Sequence, residues 1–165
     1  MGKRGIVQRV TEPTDKISNM CVVRKPNGKL RICIDPRDLN KLLKRPHYPI
    51  PAIESILPEL ANAKIFSVID AKEAFWQIKL DKESSYLTTM GTPFGRCRLL
   101  RLPYGINTAT EEFQRRQHEM IEGFDNVTNI ADDFLIYGCG ETTERATLDH
   151  DKHLKAFSTK HAKPT

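Results

Sequence analysis

Asn129-Ile130-Ala131-Asp132-Asp133-Phe134-Leu135-Ile136-Tyr137 decides how this chain is read. Two adjacent carboxylates interrupt an apolar run that predicts a β-hairpin over about residues 127–137. Like charges held among apolar neighbours are costly unless something positive neutralises them, and a divalent cation is the simplest answer. A second apolar run, Ile65-Phe66-Ser67-Val68-Ile69, also predicts a strand and ends in Asp70. Three aspartates at the ends of two strands offer the hard oxygen ligands that two Mg²⁺ ions take, and suit the transfer of a nucleotidyl group. A solvated turn is the competing reading of Asp132-Asp133; the apolar flanks and the lack of a following glycine disfavour it.

Outward from the hairpin, residues 108–122 predict a helix with Phe113, Gln117, Met120 and Ile121 on nearly one face, and Gly123 as its stop. Thr142 or Thr143 is the expected cap of a last helix reaching about residue 160. His150, His153 and His161 on that helix, beside Asp149 and Asp151, read as a solvated face rather than a metal site. Upstream, residues 20–25 and 30–35 predict two strands joined by Pro26-Asn27-Gly28 turn chemistry. That hairpin is basic at its tip, with Arg24, Lys25, Lys29 and Arg31. Pro46, Pro49 and Pro51 mark an extended crossing into a short helix near 51–60. A helix or turn is expected through Lys72–Trp76, and a strand pair at 86–90 and 96–100. Mixed elements without a βαβ repeat argue an α+β fold, an antiparallel sheet backed on one face by helices.

The 165 residues suit one domain with a real core, although a hydrophobic share of 39% leaves room for an exposed face. No apolar run approaches a membrane span, and the start lacks the apolar core of a secretion signal. Met1-Gly2 is a poor myristoylation match because Ile6 stands where Ser or Thr is wanted. Cys21, Cys33, Cys97 and Cys139 form no metal knuckle and read as reduced, buried thiols. The net charge of +5 is unevenly placed: residues 1–47 hold twelve Lys and Arg against four acidic residues, the remainder fourteen against seventeen. A basic first third beside acidic strand ends fits a phosphate-bearing substrate.

The chain resembles the fingers and palm of a reverse transcriptase of the gypsy-type LTR retrotransposon class, from about Gly5 to about Phe157. The matching stretches are Val23 to Asn40, His47-Tyr48-Pro49-Ile50-Pro51, Phe66 to Ile78, Thr92-Pro93-Phe94-Gly95, Leu102-Pro103-Tyr104-Gly105 with Phe113-Gln114, and Ala131-Asp132-Asp133. Two departures stand out. Ile130 lies where many relatives carry Tyr, and Thr110 where the family usually has Pro.

The resemblance implies a polymerase palm, a ferredoxin-like antiparallel sheet backed by helices, with a β-hairpin fingers subdomain and the thumb missing. One domain of residues 1–165 is expected, with fingers at about 1–60 and 82–103 and palm at about 61–81 and 104–165. The implied activity is RNA-directed DNA synthesis from dNTP on an RNA or DNA template–primer. Asp70, Asp132 and Asp133 would be catalytic and, with the backbone of Ala71, would hold two Mg²⁺ ions, Mn²⁺ being a possible substitute. Arg31, Lys29, Lys25, Ala71, Phe75, Tyr104 and Gly105 would bind the nucleotide. Phe75 is expected to be a steric gate against the ribose 2′-hydroxyl, with an ordinary core role as the alternative; Trp76 reads as core. Asp35 and Arg37 read as a structural ion pair, and Gln114 as structural. A chain of this kind is normally continuous with thumb and ribonuclease H regions of a Pol polyprotein and works in the cytoplasm or nucleus, in an element particle. The alternative function is a catalytically inactive, nucleic-acid-binding remnant. A nucleotide cyclase would explain the carboxylates but not the Lys25-to-Asn40 block.

Overall fold

The computed structural model describes residues 4–24, 26–130 and 132–161. Lys25 and Ala131 lie outside the described residues, as do 1–3 and 162–165. The chain divides into two compact units, residues 1–47 with 73–113, and residues 48–72 with 114–165. The divisions fall at 47/48, 72/73 and 113/114, whereas the sequence reading sets them at 60/61, 81/82 and 103/104.

The first unit is built on a five-stranded sheet. Its strands are β1 (Val7–Arg9), β2 (Ser18–Arg24), β3 (Leu30–Asp35), β5 (Met90–Thr92) and β6 (Gly95–Leu99), in the order β1-β6-β5-β2-β3. The β2–β3 hairpin forms where the Asn-Gly turn predicts it, with the Lys29 N–H donating to Asn27 Oδ1 at 3.1 Å. Two features correct the expectation. β2 runs parallel to β5, through Ser18↔Met90 and Asn19↔Gly91, so this sheet is mixed. Tyr86 and Leu87 belong to a helix, α3 (Lys82–Leu87), and not to a strand. Asp81 caps that helix, its carboxylate accepting from the Ser84 N–H at 2.8 Å and the Ser84 hydroxyl at 2.7 Å. A further helix, α1 (Arg37–Leu42), follows Pro36 directly and is absent from the sequence reading. The core gathers Ile6, Ile34, Met90 and Leu99, with Trp76 packed against it.

The second unit is a three-stranded antiparallel sheet, β4 (Ala63–Asp70), β7 (Val127–Ile130) and β8 (Asp133–Cys139), in the order β4-β8-β7. It also holds a four-residue α2 (Ile53–Ile56), shorter than expected, and α5 (Thr143–His161). A helix α4 (Ala109–Ile121) begins in the first unit and ends in the second. Burial along β4 alternates at every residue, with Ile65, Ser67 and Ile69 on the covered face. Val127, Phe134, Ile136 and Phe157 form the core beneath that face. Thr142 Oγ1 accepts from the Arg145 N–H at 3.3 Å and so starts α5.

The face of α5 that carries His150 and His153 is not solvated. His150 and His153 are buried, with His150 Nε2 2.9 Å from Ser67 Oγ and His153 Nε2 3.2 Å from Asp149 Oδ1. The helix can come so close because β8 carries Gly138. A Cβ there would stand 2.1 Å from the Ala146 carbonyl oxygen and 2.5 Å from His150 Cβ. The thiols also depart from the expectation: Cys21 is exposed, and Cys33, Cys97 and Cys139 are half-buried. Among the described residues no helix is long and apolar enough to cross a membrane.

Candidate active site

The carboxylates lie in the second unit. Asp70 closes β4 and Asp133 opens β8, and the register sets them directly opposite each other. Directly opposed residues of an antiparallel pair project from one face, with Cβ atoms about 4.5–5.5 Å apart. Both are exposed, on the face opposite Ile69 and Phe134. Asp132, also exposed, occupies the turn, and its carbonyl accepts from the Ala71 N–H at 3.1 Å. That bond ties the chain just beyond Asp70 to the turn holding Asp132. Register therefore unites Asp70 with Asp133, and a backbone bond adds Asp132. Among the described residues, no group of three His, Cys, Asp or Glu side chains is already gathered as a metal site.

The donor chemistry nonetheless fits a divalent cation. Opposed carboxylates repel each other across a strand pair, both reach solvent, and both offer only hard oxygen. The scaffold behind them is closely packed. Ile69 and Phe134 pack into the core with Phe157. Asn129, fully buried on β7, donates through Nδ2 to Gln117 Oε1 of α4 at 3.2 Å. The sequence reading missed this pair; the signal was a Gln at an apolar position of the α4 repeat. Asp149 holds the far end of β8, accepting from the Cys139 N–H at 3.0 Å and from Asn126 Nδ2 at 2.9 Å. The Cys139 N–H is the main reason its carboxyl lies below the ordinary carboxylate range.

The other candidate residues lie in the first unit. Arg31 of β3 lays its guanidinium over the Tyr104 ring at 4.6 Å, and its Nε is buried without a hydrogen-bond partner. Phe75 joins an aromatic cluster, its ring 5.0 Å from Tyr104 and 5.5 Å from Phe113. Trp76 borders the same cluster, 5.9 Å from Tyr104. Phe75 follows a left-handed turn, with φ +65° at Glu73 and +31° at Ala74. Arg4 pairs with the Glu73 carboxylate, and the Trp76 N–H donates to the Glu73 carbonyl at 2.8 Å.

Gly105, at φ +115°, makes a close backbone approach within the first unit. A Cβ there would lie 2.5 Å from the Ile34 carbonyl oxygen, so the glycine lets this loop cross the end of β3. Asn40 of α1 secures the same loop through the Gly105 carbonyl and the Asn107 N–H, each at 3.1 Å. Asp35 and Arg37 are ion-paired at 2.9 Å. Lys29 is exposed at the hairpin tip.

Residues 23–164 match the family described as reverse transcriptase (RNA-dependent DNA polymerase). The chain belongs to this family. It is 37% identical over 146 residues to the retrovirus-related Pol polyprotein from transposon 412 of Drosophila melanogaster, which covers 82% of the chain and 12% of that protein. It is 32% identical over 158 residues to the transposon Tf2-3 polyprotein of Schizosaccharomyces pombe, covering 93% of the chain and 11% of the relative. The chain thus spans about an eighth of the curated relatives it matches. In fold, this reverse transcriptase domain is similar to the foamy viral protease-reverse transcriptase dRH solved in complex with double-stranded DNA. The TM-score is 0.79 at 22% identity, over 96% of this chain and 27% of that one.

Proposed function

We propose that the chain is the catalytic core of an RNA-directed DNA polymerase. It joins a deoxynucleotide to a primer 3′-hydroxyl on an RNA or DNA template. The observation that carries this reading is the Asp70↔Asp133 register, with Asp132 tied to Ala71 beside it. Asp70, Asp132 and Asp133, with the Ala71 backbone, would hold two Mg²⁺ ions, with Mn²⁺ as a substitute. When bound, such ions lower the pKa of an attacking hydroxyl and neutralise a triphosphate.

The remaining roles belong to the chain's own groups. Arg31 binds phosphate: a buried donor without a partner costs about 1–3 kcal/mol, and a phosphate oxygen relieves it with charge-assisted bonds. Stacking on Tyr104 aims its planar fork. Lys29 and Lys25 add positive charge at the hairpin. Phe75 excludes a ribose 2′-hydroxyl, and its position is set by the left-handed turn before it. Gly105 and Tyr104 shape the loop beneath the nucleotide. The β2–β3 unit acts as fingers and the β4-β8-β7 unit as palm, within a longer Pol polyprotein that works in an element particle in the cytoplasm or nucleus. Template–primer duplex is the partner in this reading, which the foamy viral protein's complex with double-stranded DNA supports.

A second reading is a nucleic-acid-binding remnant without catalysis, which the exposed basic side chains Arg24 and Lys29 of the β2–β3 hairpin would serve. Incorporation of dTTP on poly(rA)·oligo(dT) with Mg²⁺ or Mn²⁺ separates the two. Incorporation that falls on the order of 10³-fold in Asp70→Asn and Asp132→Asn, with duplex affinity kept, establishes the polymerase. Duplex binding with no incorporation by the parent chain establishes the remnant. Equal incorporation by parent and variants overturns the metal assignment.

A further inference from the structure

Cys21 of β2 and Cys33 of β3 are direct cross-strand partners. Opposed Cα atoms of an antiparallel pair lie about 4.5 or 5.5 Å apart, depending on their place in the hydrogen-bond alternation. Both spacings fall inside the roughly 4.4–6.8 Å range of disulfides. The pairing runs unbroken on either side, from Asn19↔Asp35 to Arg24↔Leu30, so both side chains leave the same face. Burial first, and then the charge of Cys21, push the Cys33 thiol above its ordinary value, while Arg31 pulls the other way. Cys21 is exposed and Cys33 is half-buried, an asymmetry that separates an attacking thiol from a resolving one.

We propose that Cys21 and Cys33 form a reversible cross-strand disulfide, a modification site for low-molecular-weight disulfides such as glutathione disulfide. The Cys21 thiolate attacks one glutathione sulfur, forming a mixed disulfide and releasing one glutathione thiolate. The Cys33 thiolate then attacks the Cys21 sulfur, closing the protein disulfide and releasing the second glutathione. Two protons pass from the cysteines to the two departing thiolates. The cysteine pair loses two electrons and one glutathione disulfide gains them. The bond clamps the hairpin on which Arg24, Lys29 and Arg31 sit, and Arg31 is two residues from Cys33 on the same strand face.

The whole chain, reduced and then treated with glutathione disulfide under native conditions, tests this. Free thiols should fall from four to two, and digestion with trypsin should yield residues 17–24 linked to residues 32–37. Dithiothreitol should restore all four thiols. The Cys33→Ser variant should instead stop with glutathione held on Cys21. A Cys97→Ser, Cys139→Ser double variant should close the disulfide as the parent does, which separates the pairing from any general loss of fold. A persistent mixed disulfide on the parent chain overturns the proposal. So does a link to Cys97 or Cys139, a bond formed only between chains on a non-reducing gel, or four thiols left unreacted.

Discussion

β4 and β2 are both apolar strands near a basic or acidic end, yet they meet different surroundings. Along β4 every second residue is covered, and the covered face carries the core with Phe157 of α5. β2 is exposed from Cys21 to Arg24, with Val22 and Val23 each 47% exposed. Alternation in a sequence selects a face; a helix laid against that face turns it into a core. The second unit therefore concentrates its packing beneath the carboxylates. The first unit leaves the β2 strand of its basic hairpin open, while β3 is held by Ile34 in the core and by Arg31 over Tyr104. A metal site needs fixed ligands, whereas a phosphate grip tolerates movement.

The largest way to break this contrast is Gly138→Ala. The added methyl meets the Ala146 carbonyl and His150, neither of which is a flexible chain end. The expected loss is about 3 kcal/mol, read as a fall in Tm of roughly 6–12 °C, with faster amide exchange in β8 and α5. An unchanged Tm would show that α5 is not seated as closely as its glycine demands.

A smaller effect is electrostatic. The Asp149 carboxyl is held low by the Cys139 N–H, with His153 also favouring the charged form. A group lower in pKa when folded contributes stability above the ordinary carboxylate range and loses it as pH falls through the folded value. Tm should therefore drop as pH falls below about 4, and Asp149→Asn should flatten that acid limb while lowering Tm at neutral pH. Identical acid limbs in parent and variant would remove Asp149 from the account.

The smallest change sharpens the contrast from the other unit. Ala74 is a buried alanine at φ +31°, where glycine is at ease. Ala74→Gly should raise stability by up to about 1 kcal/mol, strain relief outweighing the added freedom of the unfolded chain. Chemical denaturation would register it; a loss of stability would mean that the methyl packs better than the turn is strained.

Both hairpins, the helix after Thr142 and the strand ending in Asp70 were legible, because turn chemistry and alternation are local. The helix over Tyr86 and Leu87 was not, since its strand-like composition was overruled by the Asp81 cap and by Ser85 bonding to the Leu99 carbonyl at 2.6 Å. His150 and His153 read as solvated because what covers them comes only with assembly: Ser67 of β4 reaches His150 across the fold, while Asp149, one turn before His153 on the same helix, carries no local sign of burial. The motif glycine Gly105 was found, but the sequence does not reveal that Ile34 is what crosses it. For the carboxylates, residue types and strand ends were legible, and their register was not.

β4 forms one margin of its sheet, and the outward hydrogen-bonding groups of its eight residues face no strand among those described. Phe66 and Val68 stand exposed along it. Charged side chains commonly discourage such margins from recruiting another strand. Here the lysine on β4, Lys64, is drawn aside to the Glu141 carbonyl at 2.5 Å. An open pairing edge beside exposed apolar side chains is the combination that favours strand-to-strand association between copies at high concentration.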